Sequence, residues 1–307
     1  MACHLSSVNF TVCPIDHHLH EQYNRNDIRL YVFSNGLARY RNVNLTRRRS
    51  RIVNLLAEES SEFNVRIKVF ETTRLYGELG KFRCLQFSDD AVQGAIDLKN
   101  PKRIVLEYQK AMIQLMTLIN PEFNRAFVIG HGIGTIAAYY SDKKIKVAEI
   151  DAKVVELSRR LFDYRLDNVV VGDGRDVLND ERSDFYDYLV VDAFTPMGTP
   201  LRLTALTFFQ MTSEKLNSSG TLFMNVFGKP NKDRLINAIY STLREIYPYT
   251  KAYSLPAKDD SEVRNMILLA SKKPIVLPGK NKAGLSEIEL EEGHLILDND
   301  RGIPDRK

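Results

Sequence analysis

Between residues 125 and 230, short apolar runs recur at even intervals, each ending in small or acidic residues and leading into a stretch with helical spacing. Phe127 to Ile129, Val147 to Ile150, Val169 to Val171, Tyr188 to Val191 and Leu222 to Val226 read as strands buried on both faces, because unbroken branched apolar runs suit a covered parallel sheet. Segments including Val154 to Phe162 and Ala205 to Leu216 read as the helices between them. Repeated strand–helix units predict an α/β fold with a doubly wound, mostly parallel sheet. After a helix from Asp233 to Ile246, the runs Lys251 to Leu255 and Asn265 to Ala270 are expected to complete that sheet as an antiparallel edge.

Upstream the rhythm differs. VRIKVF, FRCLQF and AVQGAI, between Val65 and Ile96, are β-prone runs broken by Gly77, Gly80 and the Asp89-Asp90 pair, which predicts a small antiparallel meander. A helix is expected after Pro101, since Ile104, Leu106, Tyr108, Ala111, Met112 and Leu115 recur at spacings that form one buried face. The expected organisation is a basic, poorly ordered extension over 1–60, the meander over 61–100, a nucleoside-binding domain over 101–275 and a charged, loop-like tail over 276–307.

Composition narrows the function classes. The chain has 307 residues, ordinary apolar and charged fractions and a formal charge of +4. Its three cysteines, Cys3, Cys13 and Cys84, show no CxxC spacing, which fits a reducing compartment, and disulfides are not expected. Neither a membrane-length apolar run nor a signal-peptide order is visible, so a cytoplasmic protein without membrane contact is expected. Arg39, Arg41, Arg47, Arg48, Arg49 and Arg51 cluster near the N-terminus, but no stacking platform accompanies them; they read as a solvated basic segment, not a nucleic-acid site. Cys3, His4, Cys13, His17, His18 and His20 offer thiolate and imidazole, yet their spacing is not that of structural zinc, and no metal is expected.

The chemistry concentrates at strand ends. Open parallel sheets bind ligands at the carboxyl ends of their strands. Gly130, Gly132 and Gly134 form a turn between a strand and a helix, where glycine lets the backbone approach a ligand. Thr135 stands where a dinucleotide fingerprint would have its last glycine, which disfavours an NAD enzyme. Glu149 and Asp151 close the next strand at the spacing where an acid accepts ribose hydroxyls. Asp173 follows the third strand, suited to accept from an adenine amino group while Gly174 leaves room for the ring; helix capping is the plainer role for Asp151 and Asp173. Asp192 ends the fourth strand, positioned to orient or deprotonate an incoming amine.

These elements together resemble the spermidine synthase family, the polyamine aminopropyltransferases, over about Val65 to Ala270. That family combines a β meander with a methyltransferase-like Rossmann domain, and its GGGDGG, EID, GDG and DSSDPxG segments correspond to GHGIGT, EID, GDG and DAFTPMG here. The resemblance implies decarboxylated S-adenosylmethionine, or S-adenosylmethionine itself, as co-substrate, a small amine or polyamine as acceptor, and a homodimer or higher oligomer. It further implies that Glu149 holds the ribose, Asp173 the adenine and Asp192 the amine. Gln93 falls where the family has a glutamine at the end of its meander, and Tyr108 where a tyrosine lines the site. Two acids of the pattern are replaced, by Ile133 in the turn and Thr195 in the loop, both on the amine-recognising side. Methyl transfer and a non-catalytic nucleoside-binding role stand as alternatives.

Overall fold

The computed structural model describes residues 20–23, 28–32, 38–42, 52–87, 91–195, 198–257, 259, 262–277 and 284–298, with backbone alone up to residue 53. Contacts divide the chain into Met1–Arg49 and Ser50–Lys307. The first unit contains an antiparallel sheet of β1 (His20–Tyr23), β2 (Ile28–Val32) and β3 (Ala38–Asn42). Cys3, His4, Cys13, His17 and His18 lie outside the described residues, as do Arg47, Arg48, Arg49 and Arg51; of His20, Arg39 and Arg41 only the backbone is described.

The second unit opens with an antiparallel meander, β4 (Ile52–Glu59), β5 (Ile67–Leu75), β6 (Glu78–Gln86) and β7 (Val92–Asp97), paired in that order. Its first strand lies inside the segment expected to be extension. Arg51, Asn54, Glu58 and Glu59 obscure the strand in sequence, whereas pairing with β5 supplies it with backbone partners. The next helix, α1 (Glu107–Ile119), begins later than its apolar periodicity suggested. Ile104 instead makes a bridge to Ile96 that ties this connection to the meander.

The main sheet follows as β8 (Arg125–Ile129), α2 (Thr135–Tyr139), β9 (Lys144–Glu149), α3 (Ala152–Leu161), β10 (Val169–Val171), α4 (Gly174–Asn179), β11 (Tyr186–Val191), a 3₁₀ turn (Leu201–Leu203), α5 (Leu206–Lys215), β12 (Leu216–Gly228), α6 (Arg234–Ile246), β13 (Tyr249–Ser254), β14 (Arg264–Ser271) and β15 (Ser286–Ile288). The strand order is β10-β9-β8-β11-β12-β14-β13-β15, with the first five parallel and the last three antiparallel. This is the expected α/β architecture. Chain direction across the sheet reverses between β8 and β11, so a ligand crevice opens at the carboxyl ends of these two strands.

Alternation along the strands fills two apolar layers. Phe127, Ile129, Leu189 and Val191 pack with Phe208 and Phe209 of α5 and Ile236 and Ile239 of α6. Ala126, Val128, Tyr188 and Val190 face the other way, onto Met112, Leu115 and Met116 of α1 and Ile136 of α2. Each fully buried Leu or Phe side chain contributes about 1.5–3 kcal/mol, so these layers fix the strand ends where the site is built.

The charged tail is not simply loop. Its β15 extends the sheet from β13, and Ile296 is buried with its N–H donated to Thr242 and its carbonyl accepting from Leu206 at the start of α5. Gly293 lies so close to α6 that a Cβ would fall 2.4 Å from the Ala238 nitrogen. A charged composition hid these contacts, which are anchored by Leu285 and Ile296, with Ile288 and Leu290 packed against the core.

Candidate active site

The turn after β8 enters the crevice at Gly130, whose φ is +99° and where a Cβ would fall 2.1 Å from the Asp192 carbonyl. Only glycine permits this approach, and it brings the ends of β8 and β11 together. Gly132 and Gly134 also have positive φ, at +55° and +82°. Gln93, on β7, lies against the turn, its carbonyl 3.5 Å from where a Gly132 Cβ would project.

Glu149, at the end of β9, is buried and accepts the His131 N–H at 2.8 Å and the Asp151 N–H at 3.0 Å. Burial raises its pKa, and these backbone donors, with that of Gly132, partly offset the rise. The carboxylate therefore ties the glycine turn to the strand end. Asp151 caps α3 by accepting from the Lys153 N–H and also receives Ser61 and the Asn64 amide from the meander side. It is a joint between meander and main sheet.

Asp173 caps α4 through the Arg175 and Asp176 N–H groups, and its second oxygen receives Arg202 at 2.7 Å. Capping and the expected reach to adenine thus fall on one side chain, with Arg202 as a competing donor. A Cβ on Gly174 would lie 2.3 Å from Ile129, so close packing of α4 on β8 already requires this glycine.

Asp192 has a different environment. Its carboxylate caps no helix; it accepts the Asn225 amide at 2.9 Å and the Tyr108 hydroxyl, and the Asn225 oxygen receives Asn265 at 3.0 Å. Gln109 donates in turn to the Tyr108 hydroxyl at 3.2 Å. Burial pushes the Asp192 pKa up to about 6, although Asn225 and Tyr108 oppose the shift. Burial first, and then the neighbouring Asp192 charge, hold Tyr108 well above the ordinary phenol range. The result is a carboxylate whose pKa is raised towards neutrality, held by two donors at the end of β11.

Ile133 is buried with Ile67, Val69 and Leu85 of the meander and Val154 and Leu157 of α3. Gly94 on β7 fits over it, since a Cβ there would be 2.6 Å from Ile133 Cγ2. The residue standing for the turn aspartate therefore serves as an apolar anchor between two sheets. Thr195 closes a tight turn with Gly198 through two backbone bonds and its own hydroxyl.

Gln109, Asn225, Asn265 and Arg202 were not anticipated from the sequence. Asn225 had a readable signal, as a lone amide inside the apolar run Leu222 to Val226. Arg202 had none, because its partners lie on other elements. Among the described residues no group of three or more His, Cys, Asp or Glu side chains has the geometry to hold a metal, and no helix is long and apolar enough to cross a membrane.

Comparison with known proteins meets this geometry. Residues 105–276 match the spermine/spermidine synthase domain family model. A polyamine aminopropyltransferase of Thermoanaerobacter sp. (strain X514) is 26% identical over 212 residues, covering 64% of this chain and 75% of the relative. Putrescine N-methyltransferase 2 of Nicotiana attenuata is 26% identical over 158 residues, covering 48% of this chain and 43% of that enzyme. Among solved structures, a probable spermidine synthase from Corynebacterium glutamicum ATCC 13032 superposes with a TM-score of 0.67 at 17% identity, covering 82% of this chain and 98% of that one, a likeness of fold. With its family model spanning more than half of the sequence, the chain belongs to the spermine/spermidine synthase family.

Proposed function

We propose that this protein transfers an aminopropyl group from decarboxylated S-adenosylmethionine to a small amine or polyamine. The observation that carries the reading is Asp192, a carboxylate with a pKa of about 6, held after β11 at the crevice by Asn225 and Tyr108. In this reaction an amine nitrogen attacks the carbon beside the sulfonium, a C–N bond forms, and the C–S bond pair leaves with sulfur as a neutral thioether. The donor is already activated, so the protein's task is to position a neutral amine and take its proton. An amine reaches the site mostly as ammonium. Asp192 attracts that cation and accepts its proton, and a carboxylate raised towards neutrality does so better than an ordinary one.

Glu149 and Asp173 are assigned to the ribose and the adenine, with Gln93, Gly130, Gly132, Gly134 and Gly174 giving the nucleoside its close backbone surface. Asp173 meets adenine only when Arg202 shares or yields its oxygen. Tyr108 lines the amine path. Transfer of a methyl group is the second reading, supported by Ile133, which leaves the turn without its acid, and by the likeness to a putrescine N-methyltransferase.

The test is turnover with putrescine and spermidine, read by product mass, for the wild type and for Asp192→Asn. An aminopropyl product, lost by about 10²–10⁴-fold in the variant while nucleoside affinity is kept, is expected. A methyl product would replace the main reading with the second, and equal turnover in Asp192→Asn would remove that residue from the chemistry.

A further inference from the structure

Glu149 is oriented by a turn that has little stiffness of its own. Its Oε2 accepts the His131 N–H at 2.8 Å and its Oε1 the Asp151 N–H at 3.0 Å, so one oxygen is set from within a turn whose Gly130, Gly132 and Gly134 all have positive φ. Glycines leave a backbone free to move, and this donor needs a hold from outside the turn. His131 supplies one. It places a side chain between Gly130 and Gly132, where the family's GGGDGG pattern has glycine.

The imidazole is buried and tied to α3. The Ser158 hydroxyl gives its hydrogen to the Val155 carbonyl at 2.8 Å, so at 2.7 Å it accepts from His131 Nε2–H. The ring stands edge-on to Tyr164 with 4.6 Å between centroids, and a Cβ on Gly134 would fall 2.3 Å from the Tyr164 ring, so the turn closes over both rings. Tyr164 is itself fixed: its hydroxyl donates to Asn168 at 2.6 Å, and the Asn168 amide donates to the Ile145 carbonyl at 2.9 Å. Ile145 and Glu149 lie on the same strand, β9. The contacts therefore run from that strand through Asn168, Tyr164 and His131 back to its final carboxylate.

A phenyl ring would fill this space without a polar cost. The imidazole instead carries a buried Nδ1 with no partner, and burial, which pushes its pKa down to about 4, keeps it neutral with a single N–H. What it adds over a phenyl ring is the bond to Ser158. We propose that His131 is a positioning residue, pinned by Ser158 so that its backbone N–H holds the Glu149 carboxylate in the orientation that accepts the ribose hydroxyls. This rests on the nucleoside assignment of the proposed function and adds the pair, His131 and Ser158, that sets how strongly those hydroxyls are recognised.

Calorimetry of the full chain with 5′-methylthioadenosine and its 2′,3′-dideoxy form tests it, because the two ligands differ only in the hydroxyls assigned to Glu149. The wild type should prefer the intact ribose by about tenfold or more. His131→Phe and Ser158→Ala should each reduce that preference by about threefold or more, while the dideoxy form stays within about twofold of its wild-type affinity. The double variant should lose no more than either single one, since both remove the same bond. An unchanged preference in both variants would overturn the proposal, as would an equal loss for the two nucleosides, which would leave His131 a structural role alone. So would a loss confined to one variant; confined to His131→Phe, it would assign a ribose hydroxyl to Nδ1 directly. A wild type that binds neither nucleoside, or both alike, would instead remove the nucleoside reading beneath it.

Discussion

The two sides of the crevice proposed for the nucleoside and for the transfer use their acids differently. Glu149, Asp151 and Asp173 each bind backbone N–H groups at a turn or a helix start, so they hold the fold as well as any ligand. Asp192 accepts from the side chains of Asn225 and Tyr108, and burial raises its pKa against the effect of these two donors. The first three carboxylates are committed to backbone donors, whereas Asp192 faces amides and a phenol across the crevice. The replaced positions show the same division. Ile133 has joined an apolar cluster and Thr195 a turn, so both departures from the family pattern have structural contacts of their own.

The strongest way to break this contrast is to restore the missing acid. Ile133→Asp should not rescue a family-like contact. It would remove a buried apolar anchor and bury a carboxylate among Ile67, Leu85 and Leu157, lowering stability by about 3 kcal/mol or more in chemical denaturation. A variant as stable as the wild type that binds donor more tightly would show that the position still belongs to the site.

Asn225→Leu addresses the other half. Asn225 stabilises ionised Asp192, so its loss raises that pKa further, and the acidic limb of the turnover profile should move upward from about pH 6. Below that limb Asp192 is protonated and activity falls; above it the carboxylate is available. A rise of about one unit, the size of one charge-assisted hydrogen bond, should lower turnover about fivefold at pH 6 and about twofold at pH 7. An unmoved limb would separate Asn225 from the proton transfer.

A smaller effect is expected for Asp151→Ala. Loss of the α3 cap and of the bonds to Ser61 and Asn64 should cost about 1–2 kcal/mol of stability, while turnover below the melting transition stays near that of the wild type. A large loss of turnover without a loss of stability would move Asp151 from the joint into the site.

Apolar runs and their period determined the sheet, because a strand buried on both faces admits little but branched apolar residues, and strand-end acids and glycines marked the crevice edge for the same geometric reason. The family pattern added roles for Glu149, Asp173 and Asp192. Tertiary structure alone decided what those side chains touch: that Arg202 reaches Asp173, that Asn225 and Tyr108 share Asp192, that Ile133 faces the meander, and that the tail contributes a strand and a contact at the start of α5. Hydrogen bonds between residues far apart in sequence leave no periodic trace, and a polar side chain looks the same in the chain whether it will cap a helix, hold a proton or wait for a ligand.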